Sequence, residues 1–321
     1  MSPAVAVPSM RAALAAATAR LAGAGIDTPR VDAEWLLAGI LGVGRAALGA
    51  RLAAGLTPAV AGRFEAAVGR RARREPLQHI LGWEDFCGLR LAVTPDVLVP
   101  RPETETLVER ALALLPPAGA IARRVIDVGT GAGGIACALA AARRDVRVVA
   151  VDLSEAASRL ARRNVRAVGV ADRVFVVVGD LFAGLGPTRS DLIVSNPPYL
   201  PSAMLAGLAP EVAKHDPRLA LDGGADGMHL IRRLVSEAPA RLAPGGALAL
   251  ETAGGDQAPD VAALMREAGF VDVTLHLDLT GAQRFVTGVN ARPGKPPPPL
   301  LGGPAPERAV EAPSNVCPLG S

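Results

Sequence analysis

Two short segments carry residues whose types and spacing suit chemistry. The first, Asp127-Val128-Gly129-Thr130-Gly131-Ala132-Gly133-Gly134, follows one apolar run and precedes another with helical spacing at 135–142. Its glycines let the backbone turn tightly and approach a ligand where a side chain would collide. Asp152 ends the next apolar run, 21 residues after Gly131, where a carboxylate can accept hydrogen bonds from both hydroxyls of a ribose. Gly129, Thr130, Gly131, Ala132, Gly133 and Asp152 therefore read as a nucleoside-cofactor site. Gly129, Gly131 and Gly134 also satisfy GxGxxG, so the loop by itself fits a nicotinamide dinucleotide as well as S-adenosylmethionine.

The second segment, Ser195-Asn196-Pro197-Pro198-Tyr199, separates those two. The Asn196 side-chain oxygen and the Pro197 carbonyl are two acceptors in a stiff loop, and Pro198 has no N–H to compete for them. Two convergent acceptors fit an NH2 group. A planar amide or aromatic amine has a delocalised nitrogen lone pair, and holding both hydrogens orients that pair toward the methyl of a sulfonium. Tyr199 can stack on the flat substrate. The nitrogen becomes cationic as it attacks, so carbonyl dipoles suffice and no strong general base is needed first. A nicotinamide-dependent oxidoreductase would leave Asn-Pro-Pro-Tyr without work. Asp180, in Val-Gly-Asp-Leu-Phe, is expected to end a strand and accept from an adenine amino group, with Leu181 and Phe182 against the base.

These residues need a sheet to hold them. Apolar runs at 125–128, 146–152, 175–180, 192–195, 247–251, 271–277 and 284–289 alternate through most of their length with helical patterns such as 107–115 and 154–167. The fold class expected is α/β, a doubly wound and mostly parallel seven-stranded sheet, with its last two strands an antiparallel pair at one edge. Ligands of such sheets bind at the carboxyl ends of the strands, where both segments fall. Residues 1–75 read as a small helical domain, with Thr28-Pro29 and Thr57-Pro58 as helix starts. Residues 76–100 read as a hairpin linker, 101–291 as the catalytic domain, and 292–321, with nine prolines, as a disordered tail.

Composition narrows the classes. Half of the 321 residues are hydrophobic, enough for a sizeable core. The longest charge-free run, 192–210, contains four prolines and does not suit a membrane helix. No secretory signal is evident, so a cytoplasmic protein is expected. Three separated cysteines and four scattered histidines argue against a disulfide framework or a structural zinc site. Net charge is +3, concentrated in residues 1–75, where ten arginines face five carboxylates; the rest is slightly acidic. Arg70, Arg71, Arg73 and Arg74 read as a solvated helix end. Aromatics are 3% of the chain, too few for a nucleic-acid reader, and no direct nucleic-acid partner is expected.

The run Leu98-Val-Pro-Arg101-Pro-Glu103-Thr-Glu105, then DVGTGAGGIA, VDLS and SNPPYL, closely resembles the release-factor glutamine methyltransferases, the HemK/PrmC family, over about residues 11–290. The resemblance implies a class I, Rossmann-like methyltransferase fold and S-adenosylmethionine as cofactor. It implies transfer to the amide nitrogen of the glutamine in the Gly-Gly-Gln loop of class I peptide chain release factors, with the helical domain binding the release factor. On it, residues 129–133, Asp152, Asp180 and Leu181 would hold the cofactor with Asn196, and Asn196, Pro197, Pro198 and Tyr199 the glutamine amide. NPPY alone is shared with adenine-N6 methyltransferases, which remain the alternative. His215-Asp216-Pro217, Glu251-Thr-Ala and Phe86-Cys87-Gly88 depart from the family's usual forms. Glu251 is assigned no part in methyl transfer, and Arg101 and Glu103 are read either as substrate contacts or as ion pairs at the domain joint.

Overall fold

The computed structural model describes residues 9–187 and 189–291. The proline-rich tail read at 292–321 lies outside them. Helices α1 (Met10–Gly23), α2 (Pro29–Leu41), α3 (Pro58–Ala72) and α4 (Leu77–Leu81), with a 3-10 turn at Arg45–Arg51, enclose a core of their own around Leu21, Leu36, Leu37, Phe64 and Val68. Ser9 caps α1 through the amide of Ala12, and Thr57 caps α3 through that of Val60. Thr28 does not cap α2: its hydroxyl donates to Asp32 at 2.8 Å, which leaves Pro29 to set the first turn. Helix α4 falls inside the segment read as a hairpin linker, because Leu77, Ile80 and Leu81 pack on the helical core. The hairpin proper is β1 (Trp83–Phe86) and β2 (Leu89–Ala92), turned by Cys87 and Gly88 at φ 48° and 73°.

The remainder is α5 (Pro102–Leu114), β3 (Arg123–Val128), α6 (Gly134–Ala142), β4 (Val146–Asp152), α7 (Glu155–Val168), β5 (Val174–Val178), β6 (Ser190–Ser195), α8 (Pro210–His215), α9 (His229–Arg241), β7 (Leu242–Glu251), α10 (Gln257–Glu267), β8 (Phe270–Leu277) and β9 (Gln283–Asn290). The sheet has seven strands in the order β5-β4-β3-β6-β7-β9-β8. Its first five strands are parallel, and β9 is antiparallel to both its neighbours. Leu192, Ile193 and Val194 on β6 are all fully buried, as a parallel strand covered on both faces requires. One face packs Leu107, Leu139 and Leu192 together; the other packs Ile193, Ile231 and Leu234.

Most strand bounds shift by one or two residues from the sequence reading, and two of the shifts matter. β5 stops at Val178, so Asp180 lies beyond the strand in a turn. β7 starts at Leu242 rather than 247: Leu242 pairs with Ser190, and residues 243–246 bulge out before pairing resumes between Ala247 and Leu192. The order of strands reverses between β3 and β6, and Val128 pairs with Ser195 there. Gly129 and Asn196 therefore leave the sheet side by side at the point where open α/β sheets bind ligands. Among the described residues, no single helix is long and apolar enough to cross a membrane.

Candidate active site

The end of β3 builds the glycine loop. Gly129, Gly131 and Gly133 take φ values of 72°, 55° and 83°, which side chains disfavour, and a Cβ on Gly133 would sit 3.2 Å from that of Ala161 on α7. Gly133 thus seats the loop on α7, while Gly129 through Ala132 line a cavity of about 400 Å³. Asp127 anchors the loop from below: its Oδ2 accepts from the Thr130 hydroxyl at 2.6 Å and the Ala136 amide at 3.2 Å. Full burial pushes its carboxyl up to about 7.

Asp152, at the end of β4, reaches the same cavity. Its Oδ2 accepts from the Gly131 amide and its Oδ1 from the Ser154 amide, both at 2.8 Å. A carboxylate has about four lone-pair sites, so both oxygens keep capacity for a pair of hydroxyls. Burial raises this carboxyl too, and the two amides offset that only in part. Leu181, at φ 50°, also lines the cavity. Phe182 does not: it is 1% exposed in the core, with the Arg241 guanidinium 6.0 Å from its ring centroid. Asp180 borders the cavity, but its carboxylate receives both Arg233 amino groups at 3.2 and 3.0 Å, so an adenine amine would meet an acceptor already in an ion pair.

Asn196 leaves β6 between this cavity and a second one of about 260 Å³. Its Nδ2 donates to Thr104 Oγ1 at 3.0 Å, and the Thr104 hydroxyl donates to Glu251 Oε2 at 2.8 Å. Among the described residues, nothing donates to Asn196 Oδ1 or to the Pro197 carbonyl. Pro198 lines the first cavity, Tyr199 the second, and Pro197 is buried beneath them. Burial pushes the Tyr199 hydroxyl up to about 12, so it stays neutral. The loop is held from behind by Gln257, whose Nε2 donates to the Tyr199 carbonyl at 2.9 Å. Gly227 closes on the same carbonyl; a Cβ there would lie 2.3 Å from that oxygen.

The arginines at the end of α3 are not a solvated terminus. Arg71, 8% exposed, donates to Asp32 at 2.7 Å and to Glu211 at 2.9 Å, and Arg74 reaches Glu211 at 2.8 Å. Arg70 pairs with Glu75, leaving Arg73 exposed. Glu211 begins α8, in the segment after Asn-Pro-Pro-Tyr, so these charges tie the helical unit to the rim of the site. Within the catalytic segment itself, Arg101 pairs with Asp216 at 2.7 Å, while Glu103 lines the smaller cavity. Sequence reasoning passed over Thr104 and gave Glu251 no part; the available signal was an acid at the carboxyl end of a strand beside the switch point.

Together, a doubly wound sheet, a glycine loop with an acid at the end of the next strand and an acceptor-bearing Asn-Pro-Pro-Tyr loop at the switch point define a class I methyltransferase whose cofactor is S-adenosylmethionine. The cavity's size, its half-buried Asp152 and its glycine-rich loop fit that nucleoside. Residues 12–82 match the PrmC N-terminal domain, and residues 105–207 match the methyltransferase small domain. The chain is 45% identical over 268 residues to the release factor glutamine methyltransferase of Geobacter sulfurreducens, covering 84% of this chain and 92% of that one. It is 47% identical over 278 residues to the enzyme of that name from Deinococcus radiodurans, covering 86% and 97%. Among solved structures, the hMettl16 catalytic domain in complex with a MAT2A 3'UTR hairpin shares the fold, at TM-score 0.53 and 19% identity over 72% of this chain and 84% of that one. The chain belongs to the release factor glutamine methyltransferase family.

Proposed function

We propose that this chain methylates the side-chain amide nitrogen of the glutamine in the Gly-Gly-Gln loop of class I peptide chain release factors. The observation that carries the reading is the pair of unengaged acceptors, Asn196 Oδ1 and the Pro197 carbonyl, beside the glycine-loop cavity. Gly129, Thr130, Gly131 and Ala132 with Asp152 would hold the cofactor, Gly133 would seat their loop on α7, and Asp180 and Leu181 would border the base. When bound, S-adenosylmethionine would supply the methyl group: the amide nitrogen would bond to its methyl carbon as the carbon–sulfur bond opens to a neutral thioether, and the nitrogen would lose its extra proton to water.

Asn196 and Pro197 take the two amide hydrogens and turn the lone pair out of conjugation. As the nitrogen gains charge, the same two dipoles stabilise it without reorganising. Tyr199 covers the flat carboxamide. The basic helical unit, tied to the rim through Arg71 and Glu211, would seat the rest of the release factor. The reading implies a cytoplasmic protein and requires neither a membrane nor direct contact with nucleic acid. An adenine-N6 reading is not favoured, because the relatives covering most of the chain are named for release factor glutamine.

Purified protein is expected to transfer labelled methyl from S-adenosylmethionine to a release factor but not to the same factor with its loop glutamine replaced. Equal labelling of both overturns the substrate. Asn196→Ala is expected to abolish turnover while cofactor affinity stays within about threefold; full activity would mean that the amide grip lies elsewhere.

A further inference from the structure

Resting on that reading, we infer that Thr104 and Glu251 are positioning residues, a relay that dictates which end of the Asn196 carboxamide meets the substrate. An asparagine amide has two nearly isosteric ends, and only the oxygen end can accept a hydrogen from the glutamine amide. The nitrogen end would set donor against donor. Something must choose between them, and the structure contains that choice.

The choice runs through one proton. Thr104, 5% exposed in the first turn of α5, has a single hydroxyl hydrogen and gives it to Glu251 Oε2 at 2.8 Å. Only lone pairs remain on its oxygen, so Thr104 accepts from Asn196 Nδ2 at 3.0 Å and repels the opposite orientation. Asn196 Oδ1 is thereby committed to the cavity side. The sheet register explains how the acid arrives: Ser195 pairs with Leu250 on β7, which puts Glu251 level with Asn196. Helix α5 packs across β6 and β7 and lays Thr104 between them.

The relay depends on charge. Glu251 is 1% exposed and faces Arg284 from β9, Arg101 and Glu103 from the start of α5, and Tyr199 from the loop after β6. Burial outweighs the Thr104 hydrogen bond and the arginines, and pushes this carboxyl up to about 7. Above that pH the carboxylate can only accept, and the chain of donors has one direction. Below it, a protonated Glu251 can donate to Thr104, whose own hydrogen is then free for Asn196 Oδ1, and the amide turns its nitrogen to the substrate. Turnover of the protein substrate therefore falls as pH drops from 8 to 6.

The test is steady-state kinetics of the full chain on a release factor, with cofactor affinity measured separately. Thr104→Val is expected to lower kcat/KM for the release factor about tenfold or more, the usual cost of losing an outer partner that orients a working side chain. Its cofactor Kd should stay within about threefold of the unsubstituted protein, and its activity should no longer decline from pH 8 to 6. Thr104→Ser keeps the hydroxyl and should recover activity to within about threefold. A valine variant within threefold of the unsubstituted protein overturns the relay, as does a serine variant as poor as the valine one, which would make the methyl's packing the cause. If the unsubstituted protein fails to label the release factor, the methyl-transfer reading itself falls, and the two failures are distinct.

Discussion

Asp152→Asn changes one atom at the cofactor end of the site, and the structure says what that atom does. Both carboxylate oxygens already accept a backbone amide, from Gly131 and from Ser154, each at 2.8 Å. Asparagine has one carbonyl oxygen, so its NH2 must face one of these N–H groups, donor against donor. The amide left without a partner costs about 1–3 kcal/mol, and this loss falls on free and bound protein alike. It lowers the melting temperature. If Asp152 holds the ribose as proposed, its charge-assisted hydrogen bonds to the hydroxyls exist only in the complex, and losing about 2 kcal/mol there raises the cofactor Kd about 30-fold, at 1.4 kcal/mol per decade. Calorimetric titration with S-adenosylmethionine and with its demethylated product reads this directly. At saturating cofactor, kcat on a release factor should fall much less than the KM for cofactor rises, because the amide grip at Asn196 is untouched. A folded variant that binds within threefold of the unsubstituted protein would mean the ribose does not sit on Asp152, and the account of the glycine loop would fail with it.

Gly227→Ala forces a left-handed residue at φ 78° to carry a Cβ 2.3 Å from the Tyr199 carbonyl. Backbone strain costs about 1–2 kcal/mol, and the carbonyl must move. Turnover of the protein substrate should drop up to about 100-fold, as a displacement near 1 Å can cause; unchanged turnover would separate this loop from the active site. Arg71→Ala strips a buried cation from Asp32 and Glu211, and chemical denaturation should show a loss of about 3–5 kcal/mol. A loss below about 1 kcal/mol would rank the bridge with exposed pairs. Asp127, with its carboxyl raised to about 7, is penalised in the fold when it ionises, so its contribution to stability falls as pH rises from its unfolded value near 4 through 7. Asp127→Asn removes that penalty, and its melting temperature relative to the unsubstituted protein should climb between pH 5 and 8. Parallel curves would refute the buried-charge argument.

Most of the strands and both chemical loops were legible because their signals are local. An apolar run, then glycines at positive φ, then a helix is a pattern of adjacent residues, and so is an Asn-Pro-Pro-Tyr turn after a strand. Where the local signal misled, packing overrode it. Phe182, beside the cavity in sequence, turned into the core because the sheet face below it is apolar.

By itself the sequence determined that the glycine loop and the Asn-Pro-Pro-Tyr loop could do chemistry and that each would sit at the carboxyl end of a strand, since alternation and turn residues encode faces and ends. Beyond the last two strands, read as an antiparallel edge pair and found so, it did not determine which strand lies beside which, because neighbouring strands are chosen by burial summed over the whole sheet rather than by any one segment. Only the tertiary structure set Thr104, Asn196 and Glu251 in line, 92 and 147 residues apart along the chain, and carried Arg71 to Glu211 across 140. Contacts of that span leave no periodic trace, because each partner alone is an ordinary threonine, glutamate or arginine until folding removes the water between them.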